Sequence, residues 1–257
     1  MTQTIFASYD HMALLADYHA PEMHAHLCAH LALASEGTLT YTTDAGSAVS
    51  EGVFIDSDVS HTIQSDSPLL LFFFDETSAL RVRIKERYFP ENPVAECPND
   101  VVDRMRRCLT DFYANTDSQA FDLQAKEILL GAEHASMSQP ATAATTDERI
   151  ADALSFLHAQ QTIGSDIVDK LAQREYLSKS RLSHLFTQEM GISLHRYLAF
   201  VKMKKAAEYI ATGASLTDAA LRAGFNSSSH LSSTVKRMFG ISMTDVMHSM
   251  QQPRHTQ

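Results

Sequence analysis

The chain has 257 residues, of which 44% are hydrophobic and 20% are charged, and its formal net charge is −10 at neutral pH. This composition is typical of a globular protein with one or two domains. No apolar run approaches the roughly 20 residues that a membrane-spanning helix needs, and the first residues carry no signal-peptide pattern. We therefore expect a cytoplasmic protein.

The charge is distributed unevenly along the chain. Residues 1–147 hold 8 basic against 22 acidic side chains, a net charge of −14, whereas residues 148–250 hold 12 against 9, a net charge of +3. Phosphate groups repel the first part and attract the second. The asymmetry favours an acidic sensor joined to a nucleic-acid-binding module.

The first 80 residues have the pattern of a β domain. Short apolar runs cover residues 27–33, 38–43, 52–55 and 69–74, and turn residues separate them at intervals of about ten, which predicts a sandwich or barrel. Beyond Pro98 the apolar residues recur at steps of three and four, which predicts two antiparallel helices. One face of this pair forms either a dimer contact or a cover for the barrel.

Small polar residues at 138–147 indicate a linker. We expect a sensor domain over residues 1–137 and a DNA-binding domain over residues 148–250, with Asp147 as the N-cap of a first helix at 148–159. Three cysteines, Cys28, Cys97 and Cys108, are widely spaced and odd in number. They predict buried thiols in a reducing compartment.

The last hundred residues contain an internal repeat. Residues 165–190 and 215–239 each predict a short helix, a tight turn and a second helix; Ala172 and Ala220 lie 48 positions apart, and Leu182 and Leu231 lie 49 apart. A helix-turn-helix unit is the smallest that places a helix in the major groove. Between the repeats, a helix over residues 193–212 is expected to present Arg196, Lys202, Lys204 and Lys205 to phosphates.

This half resembles the AraC/XylS family of bacterial transcription regulators. The residues that carry the resemblance are Leu182-Ser-His-Leu-Phe, Gly191-Ile-Ser, Tyr197-Leu, Ala206-Ala, Ala220-Leu-Arg-Ala-Gly-Phe-Asn-Ser and Lys236-Arg-Met-Phe-Gly-Ile-Ser. The resemblance implies an all-α bundle of seven helices with two helix-turn-helix units, the last helix over residues 244–250. One departure is Tyr176, where the family commonly has glycine in the first turn.

The resemblance also implies a set of DNA contacts. The base-facing residues would be Ser180, Ser183, His184 and Thr187 in one groove, and Ser228, Ser229, Ser232 and Ser233 in the next. Phosphate contacts would come from Lys179, Arg181, Arg196, Lys202, Lys236 and Arg237. Serine hydroxyls are ambiguous base readers, so the second helix is equally open to a role in which Lys236 and Arg237 mainly hold phosphates.

Several histidines of the acidic segment, residues 1–147, are candidates for a binding site. His24-Ala-His26, Glu36-Gly37, Gly52-Val-Phe-Ile-Asp and His61 resemble a cupin barrel, and alternation along a strand puts both histidines of His-x-His on one face. We expect an effector pocket lined by His24, His26, His30, Phe54 and His61. The alternative is a metal site formed by His24, His26 and His61. We do not favour it, because sensor domains of this type often keep such histidines without metal.

We therefore predict an α+β protein of two domains, with a cupin-like barrel and two helices before the helical bundle. It would be a cytoplasmic, homodimeric transcription regulator, with activation as its expected effect. We expect it to respond to an unidentified small molecule and to contact promoter DNA and RNA polymerase. No cofactor and no catalytic residue is expected. The alternatives are a metal-dependent cupin enzyme with an appended DNA-binding module, and a ligand-independent regulator controlled by protein partners.

Overall fold

A computed structural model of the protein describes residues 5–16, 22–131, 145–239 and 243. Its first half contains ten strands that pair antiparallel in two sheets. The strands are β1 Ile5–Ala7, β2 His11–Ala16, β3 His24–Ala25, β4 His30–Ala34, β5 Leu39–Thr43, β6 Gly46–Ser50, β7 Gly52–Ile55, β8 Ser60–Ser65, β9 Leu69–Phe74 and β10 Val94–Glu96. One sheet has the order β1-β2-β9-β4-β7-β10 and the other has the order β3-β8-β5-β6.

The four inner strands of the six-stranded sheet, β2, β9, β4 and β7, are buried on both faces. Side chains alternate along a strand, so the β9 residues Leu69, Leu71 and Phe73 enter one core while Leu70, Phe72 and Phe74 enter the other. The first core is shared with the four-stranded sheet and the C-terminal helices. The second is covered by three helices, α1 Ala79–Tyr88, α2 Asn99–Asn115 and α3 Ser118–Leu130.

Several sequence expectations can be compared with this half directly. The helix pair after Pro98 is confirmed as α2 and α3, whereas α1 was not predicted. The predicted cupin-like barrel is not closed, because the strands of the described ranges form two separate sheets. Helices cover one face of the larger sheet, and the smaller sheet and the C-terminal helices cover the other, so its apolar surface is buried without closure.

The three cysteines are buried and unbonded, as predicted. Burial raises the pKa of the Cys97 thiol to about 12 and that of Cys108 to about 11. Thiols with such pKa values remain protonated and unreactive near neutral pH.

Six helices make up the described C-terminal part. They are α4 Glu148–Ala159, α5 Ile167–Arg174, α6 Lys179–Met190, α7 Leu194–Ala211, α8 Leu216–Ala223 and α9 Ser228–Phe239. The expected helix over 244–250 lies outside the described residues, as does most of the expected linker. Within the described ranges, no helix combines the length and the apolar character needed to cross a membrane. The α+β class is confirmed.

Candidate nucleic-acid interface and histidine cluster

The first helix-turn-helix unit consists of α5 and α6. Ser178 caps α6 by accepting a hydrogen bond from the backbone of Arg181, and Gly191 ends the helix in the left-handed conformation with φ +71°. Leu182, Leu185 and Phe186 face the core. The opposite face of α6 is therefore presented away from the core, as the sequence pattern predicted.

The predicted base readers of α6 lie on that face. Ser180, His184 and Thr187 are exposed and Ser183 is half-buried. The Thr187 hydroxyl donates to the backbone oxygen of Ser183 at 2.8 Å, so this hydroxyl would meet a base as an acceptor. His184 is the one aromatic side chain among these four residues, and its ring can both donate and accept a hydrogen bond.

The second unit consists of α8 and α9. Ser215 caps α8, and Gly224 ends it with φ +95°. A Cβ atom at position 224 would lie 2.0 Å from the backbone oxygen of Ile163, so only glycine fits there. Leu231, Val235 and Phe239 of α9 face the core.

The predicted base readers of α9 are less exposed than those of α6. Ser229 and Ser233 are exposed, whereas Ser228 and Ser232 are half-buried. The Ser232 hydroxyl donates to the Ser228 backbone oxygen at 2.9 Å and that of Ser233 to His230 at 3.0 Å, which leaves them as acceptors.

Some of the predicted phosphate contacts are exposed to solvent, and others are paired with groups of the protein itself. Arg181, Lys236 and Arg237 are exposed. Lys179 is also exposed, but its Nζ lies 2.6 Å from Asp169. The two remaining candidates lie on α7 and are engaged within the protein.

Those two α7 residues differ from the sequence expectation. The Lys202 Nζ donates to the backbone oxygen of Gly224 at 2.8 Å, so it closes the second turn instead of facing solvent. Both terminal nitrogens of Arg196 contact Asp58 of the sheet region, at 2.5 and 3.2 Å. Lys204, expected on the polar side of the helix, is buried.

Lys204 belongs to an interface that sequence reasoning missed. Its Nζ lies 2.9 Å from the carboxylate of Asp75 and also donates to the Tyr9 backbone oxygen. The positive charge of Lys204 holds the pKa of the buried Asp75 carboxyl below its usual value, against the effect of burial. Beside this pair the Tyr197 hydroxyl contacts Thr77 at 3.0 Å and His158 at 2.9 Å. These polar contacts fix α7 against the sheets.

An apolar cavity lies between the same two parts of the chain. It is lined by Met12, Leu14 and Phe73 of the larger sheet, by Met203, Ala206, Ala207 and Ile210 of α7, by Leu231, Val235 and Phe239 of α9, and by Met243. Phe239 packs edge-on against Phe73 with 4.3 Å between ring centroids. The second recognition helix therefore contributes directly to the contact with the sheets.

Four of the five predicted pocket residues meet in a cluster at one end of this interface. The ring centroids of His24 and His61 lie 4.7 Å apart, and the ring of His26 lies 4.4 Å from His30 and 4.8 Å from His61. Antiparallel pairing of β3 with β8 places His24 directly opposite His61. Burial holds the pKa of His26 and His30 well below 6.5 and lowers that of His61 to about 4.

Phe54, the fifth predicted pocket residue, is not part of the cluster. Its ring stacks on Tyr88 of α1 at 3.8 Å, in the core on the opposite face of the larger sheet. The reason is the strand period: Phe54 and Ile55 are neighbours on β7, and Ile55 is the one that faces the histidine side.

Comparison with known proteins agrees with these features. A family model described as "Helix-turn-helix domain" matches residues 171–249. A comparison with curated protein sequences found no match.

Solved structures of ToxT from Vibrio cholerae resemble the whole chain. ToxT from strain O395 is 10% identical, with 95% of this chain and 99% of that chain covered and a TM-score of 0.57. The same protein bound to (E)-4-(8-methylnaphthalen-1-yl)but-3-enoic acid is 11% identical, with 94% and 100% covered and a TM-score of 0.50. The AraC-like transcriptional activator CuxR is 12% identical, with 82% and 79% covered and a TM-score of 0.39.

At these identities the ToxT structures establish a shared fold, and the helix-turn-helix match establishes the C-terminal domain. Both agree with the motifs at Leu182-Ser-His-Leu-Phe and Ala220-Leu-Arg-Ala-Gly-Phe. The chain therefore carries a C-terminal helix-turn-helix domain, over the segment whose motifs resemble those of the AraC/XylS family of transcription regulators.

Proposed function

We propose that the protein binds promoter DNA sequence-specifically through α6 and α9 and regulates transcription. The observation that carries this function is the pair of recognition helices, each with an apolar face in the core and a polar face outside. Phe186 of α6 packs on Tyr197 near the start of α7, whereas α9 lines the apolar cavity together with the later part of α7. The 18 residues of α7 make a rod about 27 Å long. That length is of the order of one DNA turn, about 34 Å, which separates successive major-groove sites.

The base contacts of this function are those predicted from the resemblance. In the first groove they are Ser180, Ser183, His184 and Thr187, and in the second Ser228, Ser229, Ser232 and Ser233. Lys179, Arg181, Lys236 and Arg237 hold phosphates, and Arg196 joins them once its contact with Asp58 is released. Five of the eight base-facing side chains are exposed, which supports the assignment; Ser183, Ser228 and Ser232 are half-buried.

An effector acts, in this proposal, by changing how the sheets pack against α7 and α9. A ligand shifts such an equilibrium only if it prefers one arrangement. Two features lie where a bound ligand could favour one arrangement. They are the apolar cavity between the sheets and the two helices, and the histidine cluster beside it. ToxT, which shares the fold, has been crystallised with a naphthyl-substituted butenoic acid.

The remaining parts of the proposal concern organisation. The sensor domain covers residues 1–137, a linker 138–147 and the DNA-binding domain 148–250, in a cytoplasmic protein. A homodimer forms through α2 and α3, whose outer side carries the exposed Leu123, and RNA polymerase is a partner at the promoter. Sedimentation of wild type and Leu123→Glu tests the dimer.

Selection from a random duplex library tests the DNA function. Full-length protein at low salt should enrich one asymmetric sequence that spans two adjacent major grooves. His184→Ala and Ser229→Ala should each relax the sequence preference in one of the two grooves. Enrichment of no sequence, or enrichment that neither variant changes, would contradict the proposed function.

A further inference from the structure

We infer that His24, His26 and His61 form a binding site for a divalent transition-metal ion of the zinc class, and that the bound ion strengthens the contact between the sheets and α9. The regulatory half of this inference rests on the proposed function, because it makes the ion an effector. The metal site itself stands on the geometry of the three rings.

The proton positions of the three imidazoles are fixed by their neighbours. The Nδ1 atom of His24 lies 2.8 Å from the backbone oxygen of Glu22, and that of His61 lies 2.8 Å from Val59. The Nδ1 atom of His26 lies 2.6 Å from the backbone oxygen of Met238. A carbonyl oxygen only accepts, so each Nδ1 carries the proton and donates it. In each neutral ring the lone pair is then on Nε2.

Each of the three rings places a nitrogen close to the other two. The Nε2 atoms of His24 and His26 lie 3.3 Å apart, and one ring nitrogen from each of the three residues lies within 4.8 Å of the others. With both Nδ1 atoms protonated, the 3.3 Å contact joins two acceptors, which repel each other. Burial opposes a second proton, since it lowers the pKa of all three rings. A cation between the rings converts this repulsion into attraction.

The spacing and the donor type fit zinc-class ions. Nitrogen atoms 2.0–2.1 Å from a tetrahedral ion are about 3.3–3.4 Å apart, which is the spacing of His24 and His26, and the third ring reaches that distance by a shift on the order of 1 Å. Neutral imidazoles suit Zn²⁺, Cu²⁺, Ni²⁺ or Fe²⁺, whereas Mg²⁺ and Ca²⁺ require oxygen ligands. The carbonyl partners on Nδ1 are the outer contacts that orient metal-binding histidines elsewhere.

His30 provides an independent indication. Its ring is fully buried, 4.4 Å from His26 and 4.9 Å from His61 between centroids. The backbone of Cys28 interacts with this ring, but neither ring nitrogen makes a hydrogen bond of full geometry within the described chain. Buried polar groups are nearly always paired, so an incompletely satisfied imidazole beside three clustered ring nitrogens points to a ligand that completes the cluster.

The site is linked to DNA reading through His26. Met238 is in the last turn of α9, where backbone oxygens lack partners within the helix. The Nδ1–H group of His26 supplies that partner. A cation on Nε2 makes Nδ1–H a stronger donor, prevents the proton from moving to Nε2, and places positive charge at the negative end of the helix dipole. The ion therefore stabilises the packing of α9 on the sheets.

Two basic side chains, which pair with carboxylates of the first half of the chain, indicate whether a bound ion should strengthen or weaken DNA binding. Arg196 pairs with Asp58, and Lys204 with Asp75, only while the sheets contact α7. An ion that favours the packed arrangement keeps Arg196 from phosphate. Metal should therefore weaken DNA binding.

Metal binding is measured on the full-length protein after removal of metal with a chelator. Titration with Co²⁺, followed by its visible absorption and by competition with Zn²⁺, should give one ion per chain. His24→Gln and His61→Gln should each weaken binding by at least about tenfold. His195→Gln, which changes an exposed histidine on α7, is the matched control and should bind as wild type does. His24 is on the two-residue strand β3, so His24→Gln should fold like metal-free wild type by circular dichroism.

Uptake of no Co²⁺ by wild type, or equal uptake by wild type and both cluster variants, would overturn the metal site. Either result leaves the DNA proposal to its own test, which needs no metal.

The link is measured with the duplex enriched by the metal-free protein. Saturating Zn²⁺ should raise the Kd of wild type for that duplex at least about threefold and leave His24→Gln unchanged, and the duplex should weaken Co²⁺ binding by the same factor. If the ion binds and the Kd does not change, the site is correct and the link is wrong. If no duplex is enriched, the proposed function fails while the Co²⁺ titration still decides the site.

Discussion

The two helix-turn-helix units have the same plan but different surroundings. α6 of the first unit packs against its neighbours α4, α5 and α7, and its polar face carries a histidine, a threonine and two serines. α9 of the second unit contacts the sheets, through Phe239 against Phe73 and through the backbone of Met238 against His26. Under the proposed function, this difference makes the second unit the one through which the first half of the chain would control DNA binding.

The turns differ as well. The second turn has Gly224 at φ +95°, pressed against Ile163, while the first has Tyr176 at φ +54° with a side chain that is 96% exposed. A left-handed conformation costs a non-glycine residue free energy. The first unit therefore keeps local strain that the second avoids.

The largest expected effect comes from the buried ion pair that joins the two halves. Lys204→Met should lower the free energy of unfolding by about 3–5 kcal/mol, because it leaves the Asp75 carboxylate buried without its partner. Urea denaturation measures this change. The double variant with Asp75→Asn should recover much of the loss, and Lys205→Met, at a half-buried neighbour, is the control. A loss below about 1 kcal/mol would show that the pair does not hold the halves together.

Gly224→Ala should destabilise the second unit by about 3 kcal/mol, because the added Cβ meets a backbone oxygen at a strained φ. Gly213→Ala is the matched control, since Gly213 has φ +92° but nothing within 4 Å of an added Cβ. It should cost only about 1 kcal/mol. Equal losses for the two variants would mean that strain and not contact requires glycine at position 224.

The two readers should differ in DNA specificity. His184→Ala should cost roughly 1–3 kcal/mol of specific binding and relax one base position. Ser229→Ala should cost less, because a serine hydroxyl distinguishes bases poorly. Mobility shifts with the enriched duplex and single-base variants measure both. A larger loss for the serine variant would reverse the assignment of the two units.

Lys236→Ala should weaken binding to all sequences about equally and lower the slope of log K against log salt by about 1. Lys236 is exposed near the end of α9, which fits the phosphate contact proposed for it. A salt titration of the Kd is the measurement, with Lys202→Ala examined for stability because its Nζ closes the second turn. Changed sequence preference in Lys236→Ala would instead indicate a base contact.

The smallest effect concerns the strained first turn. Tyr176→Gly should raise the free energy of unfolding by about 1 kcal/mol, since the exposed ring loses no packing and φ +54° suits glycine. Tyr176→Ala keeps the Cβ and should leave stability unchanged. Thermal and urea unfolding of the wild type and the two variants distinguish relief of backbone strain from loss of the ring. A higher free energy of unfolding in both variants would attribute the effect to loss of the ring.

Much of the helical half could be predicted because its signals are local. Ser178, Ser193 and Ser215 cap the helices that follow them, and Gly191 and Gly224 end helices in the left-handed conformation. Caps depend on residues within one helical turn. The strands at residues 52–55 and 69–74 were equally clear from apolar runs of strand length.

The surroundings of α7 could not be predicted in this way. Its pattern marks Lys202 and Lys204 as a solvent-facing basic side, yet one donates to a backbone oxygen at the second turn and the other is buried against Asp75. The partners are 22 and 129 positions away, beyond any periodic signal. The same limit applies to α1, whose mixed pattern gives weak amphipathicity although Leu80 and Ile84 are buried.

The chain encodes most of its helices, the double helix-turn-helix plan and the four histidines of the first half, since repeat spacing and His-x-His are properties of the sequence. Folding brings three of those histidines together, with one ring nitrogen from each within 4.8 Å of the others, and places His26 at the end of α9. The Nδ1 partners of His24 and His61 lie two residues away along the chain, whereas that of His26 comes from a helix more than 200 residues away. Side-chain chemistry is local information, but the partner of each side chain is set by packing.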